Sequence, residues 1–166
     1  MEEYVQLVTA FPAIHAFTVS DEDCILSDNK KTILVVDDEA GQRNLMRNTL
    51  QAEGYTVLES SDYAEALAVH GRHRGVIDLL LVDLSLPGGN GYELSKTILS
   101  VEPSVKVLFI SGHAGAALWK FLGIDVTDLH FLQKPLAIPD LLNRVRSVLE
   151  TAGHSSGLRS RSTVSD

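Results

Sequence analysis

The middle of the chain alternates between short apolar runs and segments whose apolar positions recur at helical spacing. Thr32-Ile33-Leu34-Val35-Val36 is a continuous β-branched and aliphatic run, the pattern of a strand buried on both faces. Ala40 to Glu53 follows, with Leu45, Met46, Thr49 and Leu50 at helical spacing and Gly54 as a stop signal. Tyr55 to Glu59 reads as a second strand. Asp62 is placed to cap a helix that carries Ala64, Ala66, Leu67 and Ala68 towards Gly71. Ile77 to Val82 predicts a third strand, Tyr92 to Val101 a third helix closed by Pro103, and Val105 to Ile110 a fourth strand. A fourth helix is expected over His113 to Leu122 and a fifth strand over Leu129 to Gln133. The last helix is expected over Ile138 to Leu149, with Leu141, Leu142, Val145, Val148 and Leu149 on one face. Five strands alternating with five helices predict an α/β fold, a doubly wound five-stranded parallel sheet of flavodoxin-like (βα)5 topology.

The two ends of the chain have a different texture. Residues 1–30 hold scattered apolar positions interrupted by Pro12, then an acidic stretch, Ser20-Asp21-Glu22-Asp23. They read as an extension and linker. Residues 151–166 are rich in Ser, Gly and Arg with little apolar content, a composition that predicts a disordered tail. The globular domain is thus expected over residues 31–150. Neither end is long enough for an output domain, so the chain is expected to act through protein contacts.

Composition narrows the function classes. A net charge of −8 disfavours nucleic acid and anionic membrane as partners, because both carry charge of the same sign. No apolar run approaches the roughly 20 residues needed to span a bilayer. The N-terminus shows no secretory pattern, and one cysteine, Cys24, excludes an internal disulfide. A cytoplasmic location is expected.

In a doubly wound sheet the functional site lies beyond the carboxyl ends of the strands. Those ends read Asp37-Asp38-Glu39, Asp83, Ser111-Gly112 and Lys134-Pro135. Three carboxylates gathered at one edge repel each other, and a hard divalent cation relieves that repulsion; Mg²⁺ suits oxygen ligands of this kind. Lys134 adds a movable positive charge, and the Ser111 hydroxyl a donor. Together they form a constellation suited to in-line transfer of a phosphoryl group onto a carboxylate.

These stretches, namely Ile33 to Glu39, Leu81 to Gly91, Ile110 to His113 and Phe131 to Pro135, resemble in order and spacing the receiver domain of two-component response regulators. The resemblance covers about residues 31–150. It implies that Asp83 is the phosphoacceptor and that Asp38 binds Mg²⁺ directly, with Asp37 acting directly or through water. Asp83 itself and the backbone carbonyl of Ser85 complete the ligand set. It implies further that Ser111 and Lys134 contact the phosphoryl group, that Ser111 and Phe131 act as switch residues, and that the bond before Pro135 is cis. The implied partners are a histidine kinase or histidine phosphotransfer protein and a downstream target protein, with self-association into a homodimer left open. A switch rather than an enzyme is expected, whether stand-alone or the receiver end of a hybrid kinase.

Plainer readings stand beside these. Asp37 and Asp38 also suit a helix N-cap, and Phe131 a core aromatic. Pro87, Gly88, Gly89 and Gly91 are turn formers first. His113 suits an exposed helix start, and His70, His73 and His130 show no metal-ligand spacing. Trp119 and Phe121 suit either the core or a partner face. Two other functions fit the same sheet. One is a Mg²⁺-dependent phosphatase, which needs an acid where Ser85 stands; the other is an interaction module indifferent to phosphorylation.

Overall fold

The computed structural model describes residues 30–112 and 130–151. Its order is β1 (Thr32–Val36), α1 (Ala40–Ala52), β2 (Thr56–Ser60), α2 (Tyr63–Arg72), β3 (Ile77–Asp83), β4 (Ser85–Leu86), β5 (Gly89–Asn90), α3 (Gly91–Val101), β6 (Lys106–Ser111), β7 (Phe131–Gln133) and α4 (Ile138–Glu150). The main sheet is parallel throughout, in the order β2-β1-β3-β6-β7. This is the doubly wound arrangement expected from the alternation, with the order in which strands are added switching sides at the β1/β3 boundary. The expected helix over His113 to Leu122, with Trp119 and Phe121, lies outside the described residues. So do Leu129 at the head of the fifth strand, residues 1–29, and the tail from residue 152.

The apolar run of β1 is continuous because both faces of the sheet are covered. Leu34 and Val36 face Ala66 and Val69 of α2 and Leu94 and Ile98 of α3. Ile33 and Val35 face Met46 and Leu50 of α1 and Leu141, Val145 and Val148 of α4. All four β1 side chains are fully buried, and each buried aliphatic side chain contributes about 1.5–3 kcal/mol of transfer free energy. Of Leu45, Met46, Thr49 and Leu50, read at helical spacing, Met46 and Leu50 are buried and Leu45 points outward. On the helix circumference it sits one step from Met46, on the far side from Leu50. On α4 the expected face holds: Leu141, Val145 and Val148 are buried, and Leu142 and Leu149 pack at their flanks.

Asp62 caps α2 as expected, its carboxylate accepting from the Glu65 amide at 2.8 Å. Asn90 does the same for α3 through the Glu93 amide. The glycine-rich turn after β3 is more ordered than turn chemistry alone predicts. Ser85 pairs with Asn90 and Leu86 with Gly89 as a short antiparallel hairpin, closed by Gly88 at φ 78°. Its return to α3 passes hard against the end of β3. A Cβ on Gly91 would stand 2.1 Å from the Asp83 carbonyl oxygen and 2.9 Å from Val82 Cγ2.

At the amino end of the sheet, His70 is buried and its Nε2 lies 2.9 Å from Glu102 Oε2. The other Glu102 oxygen accepts from the Gly75 amide at 2.8 Å. This clasp joins the ends of α2 and α3, and it accounts for a histidine with no metal-ligand spacing.

The contrast between two glycines is a direct test of the packing. Gly91→Ala is expected to cost about 3 kcal/mol or more, since a backbone oxygen cannot step aside. Gly41→Ala, near the start of α1 with nothing within 4 Å of the new methyl, is expected to gain up to about 1 kcal/mol. Urea unfolding of both variants measures the difference.

Candidate functional site

Parallel strands deliver their carboxyl ends to one edge, and that edge carries the chemistry. Asp37 follows β1, Asp83 ends β3, Ser111 ends β6 and Lys134 follows β7. Asp37 is fully buried, Asp83 nearly so, and Asp38 is exposed. One carboxylate oxygen from each of the three lies within 4.8 Å of the others. The Lys134 ammonium sits between two of them, 3.0 Å from Asp37 Oδ2 and in direct hydrogen bond with Asp83 Oδ2. The sequence placed Asp37, Asp38, Asp83, Ser111 and Lys134 at one edge, and the structure brings the four charged residues together there.

The remaining carboxylate oxygens are held by backbone amides. Asp37 Oδ1 accepts from Glu39 N, and Asp83 Oδ1 from Ser85 N, both at 2.8 Å. This corrects the capping alternative for Asp37 and Asp38. The residue at the N-cap of α1 is Glu39, which makes no side-chain cap bond. The Ser111 hydroxyl is buried and donates to the Gly112 carbonyl at 3.0 Å. The Lys134 amide donates to the Ser111 carbonyl at 2.8 Å, which ties the two residues through their backbones. The peptide bond before Pro135 is cis.

Burial sets the electrostatics. Desolvation raises the Asp37 carboxyl above its ordinary value; the Lys134 hydrogen bond and the Glu39 amide oppose this, and Asp83 adds to it. For Lys134 desolvation acts downward, but the hydrogen bonds and charges of Asp83 and Asp37 outweigh it and the ammonium is held above the usual lysine range. The edge therefore holds more negative charge than one lysine balances.

Phe131 is 39% exposed at the sheet's edge strand, which corrects its alternative reading as a core aromatic. Ser85 is exposed beside Asp83. Two neighbours of the site carry no motif and were missed. Arg43 Nη1 donates to the Asp37 carbonyl at 2.5 Å, bracing the turn that leaves β1. Tyr63 packs its ring over Gly89, where a Cβ would come within 2.7 Å of Tyr63 Cδ2, and its amide donates to the Pro87 carbonyl at 3.4 Å. Tyr63 acts across the fold, and Arg43 reaches back from α1 to a backbone carbonyl, so neither carries a motif.

Three oxygen-donor carboxylates, one of them open to solvent, fit a hard divalent cation, and the lysine ammonium already shows that the edge takes positive charge. Asp37, Asp38 and Asp83 are the residues that would hold it. Among the described residues no helix is long and apolar enough to cross a membrane.

Comparison with known proteins agrees with this geometry. Residues 33–146 match the family model described as the response regulator receiver domain. The sensor kinase CckA of Brucella abortus is 33% identical over 119 residues, covering 72% of this chain and 12% of that protein. The phosphate regulon transcriptional regulatory protein PhoB of Pseudomonas aeruginosa is 35% identical over 124 residues, covering 74% and 53%. This chain thus spans about half, or much less, of the length of these relatives. The solved receiver domain of the hybrid histidine kinase CckA superposes with a TM-score of 0.60 at 34% identity, covering 72% of this chain and 99% of that one. With sheet order, site geometry and family match in agreement, this chain belongs to the response regulator receiver domains of two-component signalling.

Proposed function

We propose that the chain is a phosphorylatable switch in which Asp83 accepts a phosphoryl group from a histidine kinase or histidine phosphotransfer protein. The observation that carries this reading is the lysine bridge, Lys134 Nζ held by both Asp37 and Asp83 at the edge where three carboxylates meet. In the transfer, a lone pair on an Asp83 carboxylate oxygen attacks phosphorus in line and forms the acyl phosphate. The bond from phosphorus to the donor breaks, and its electrons leave with the donor.

Asp37, Asp38, Asp83 and the Ser85 carbonyl would hold Mg²⁺, which when bound would supply neutralisation of the charge that develops in the transfer. The chain's own groups do the rest. The Ser85 amide holds one Asp83 oxygen and so orients the carboxylate. Lys134 passes from the Asp83 carboxylate to a phosphoryl oxygen, a short move for a flexible ammonium. Ser111 exchanges its bond to the Gly112 carbonyl for one to the phosphoryl group. Because the Lys134 amide is bonded to Ser111, both adjustments reach β7 and its exposed Phe131, the proposed switch aromatic. The readout is a changed set of contacts with a downstream target, made by a switch rather than by a turnover enzyme.

Incubation with acetyl phosphate and Mg²⁺, followed by mass measurement of the intact chain, is expected to show one added phosphoryl group. Asp83→Asn is expected to lose at least about tenfold of that labelling, the smallest loss consistent with removing a nucleophile. Equal labelling of both chains, or steady release of phosphate from small phosphate esters, would overturn the reading.

The site also has a signature in acid. Because the folded pKa of Asp37 is raised, the folded state holds that proton more tightly than the unfolded chain does. Stability tied to Asp37 is therefore present below the ordinary value of 3.8 and is lost as pH rises through the folded value. In metal-free buffer, the stability of Asp37→Asn relative to wild type is expected to rise over that window and then level off. Urea midpoints from pH 3.5 upward, at about half-unit steps, measure it.

A further inference from the structure

Asp38 is the member of the acidic group that is open to solvent, and among the described residues its carboxylate takes part in no hydrogen bond or ion pair. Its place beside Asp37 and Asp83 is therefore set by its backbone. Three contacts of Asp37 hold the approach to it. The Asp37 amide donates to the Ser60 carbonyl at 3.2 Å, beyond the last register pair of β1 and β2. The Asp37 carboxylate accepts from the Glu39 amide at 2.8 Å. The Asp37 carbonyl, part of the peptide unit shared with Asp38, accepts from Arg43 Nη1 at 2.5 Å. This last contact acts on the plane of that peptide itself.

Two effects oppose a cation at this place. Arg43 lies in the first turn of α1, where the helix dipole disfavours positive charge. It also adds positive charge near an edge suited to a cation, which by charge alone weakens cation binding there. Its side chain is nevertheless only 19% exposed and is held from the far side. Arg43 Nε lies 3.7 Å from Glu59 Oε1 of β2, and Arg47, one turn along α1, donates to Glu59 Oε2 at 3.0 Å. A guanidinium presents its donors in one rigid plane, so it can face a carboxylate and a carbonyl at once. Arg43 thus spans from Glu59 to the Asp37 carbonyl.

We propose that Arg43, held by Glu59, is a positioning residue for the cation site. By fixing the Asp37 carbonyl it sets the direction in which Asp38 leaves the chain, and with it the affinity of the edge for Mg²⁺. The inference rests on the proposed reading of Asp38 as a Mg²⁺ ligand. Positioning and charge predict opposite signs here. Loss of the Arg43 charge by itself tightens the binding of a divalent cation, whereas loss of its hold on the carbonyl weakens it.

Titration of the full ¹⁵N-labelled chain with Mg²⁺, without any phosphoryl donor, separates the two. The Ser85 amide signal follows binding, because that amide is bonded to Asp83 Oδ1 and not to the turn that Arg43 holds. Arg43→Met keeps most of the unbranched stem and removes the guanidinium. It is expected to raise the Mg²⁺ dissociation constant at least about tenfold, the lower end of the cost of losing a group that orients a metal ligand. Arg47→Met removes the same charge from the same Glu59, and at about 0.15 M salt it is expected to change the constant less than about twofold. Arg43→Lys keeps the charge without the fork and is expected to bind at least about twofold more weakly than wild type. It carries the comparison if Arg43→Met lacks a cooperative urea transition. Binding by the Arg43 variant as tight as wild type, or tighter, would overturn the proposal, and so would an equal loss in Arg47→Met. A wild-type Ser85 signal that never saturates with Mg²⁺ would overturn the Mg²⁺ reading itself and this proposal with it. Saturation in wild type with unchanged Arg43 variants would overturn the proposal alone.

Discussion

Lys134 is where the fold and the chemistry meet. Its ammonium is shared by Asp37, 97 residues away in sequence, and Asp83, 51 residues away. Two carboxylates taken out of water at the end of a hydrophobic sheet each cost several kcal/mol unless compensated. A single lysine compensates only part of that, and the raised Asp37 carboxyl records the remainder. Three carboxylates thus face one lysine at this edge, and a further cation there would offset their repulsion. This is the condition for an edge that takes up a divalent cation, and with it an anion as poorly matched to bare carboxylates as a phosphoryl group.

The topology explains why such a site is possible on so small a domain. In a sheet whose strands are all parallel, every strand ends on the same side, so charged residues can be gathered there without entering the two apolar layers. The layers themselves are closed. The inner strands β1 and β3 are apolar nearly throughout, and the exception, Asp78, sits at the opposite end, where it receives Lys31 and the Thr32 amide. Among the described residues the charged strand-end groups therefore lie at the two rims, the three carboxylates with Lys134 at one and Asp78 with Lys31 at the other. The hairpin of β4 and β5 serves the acidic rim. It returns the chain so sharply that Gly91 touches the Asp83 backbone, which holds the proposed nucleophile from behind.

What was legible in the sequence divides along the range of the interactions. Strands β1, β3 and β6 are continuous apolar runs because both faces are buried, and a run of that kind reads without ambiguity. The four charged residues at the carboxyl rim were legible because a parallel sheet converts position at a strand end into position in space. Leu45 was read at helical spacing with Met46 and Leu50 yet points outward, because one step on the helix circumference decides burial. Phe131 suited the core by its chemistry, but it lies on a three-residue strand that ends the sheet among the described residues, and it is exposed there. His70 and Glu102, Arg43 and the Asp37 carbonyl, and Tyr63 and Gly89 could not be read at all. Each pairs side chains or backbone from separate elements, and nothing in local spacing encodes that.

The edge strand has a physical consequence for signalling. β7 is three residues long and, among the described residues, is bound on one side only, through β6. Around it the Phe109 amide bonds to the His130 carbonyl and the Lys134 amide to the Ser111 carbonyl. Lys134 is therefore fixed at both ends, by its amide to the strand that carries Ser111 and by its ammonium to the acidic pair. A strand buried between two others would absorb a change in charge at its tip as strain within a close-packed layer. A short edge strand has fewer bonds to reorganise and an exposed aromatic to carry the change outward. Conversion of a carboxylate into an acyl phosphate alters both the charge and the reach of the group that Lys134 must meet. Among the described residues the least constrained element attached to that lysine is β7, so on the proposed reading the displacement is expected there rather than in the core.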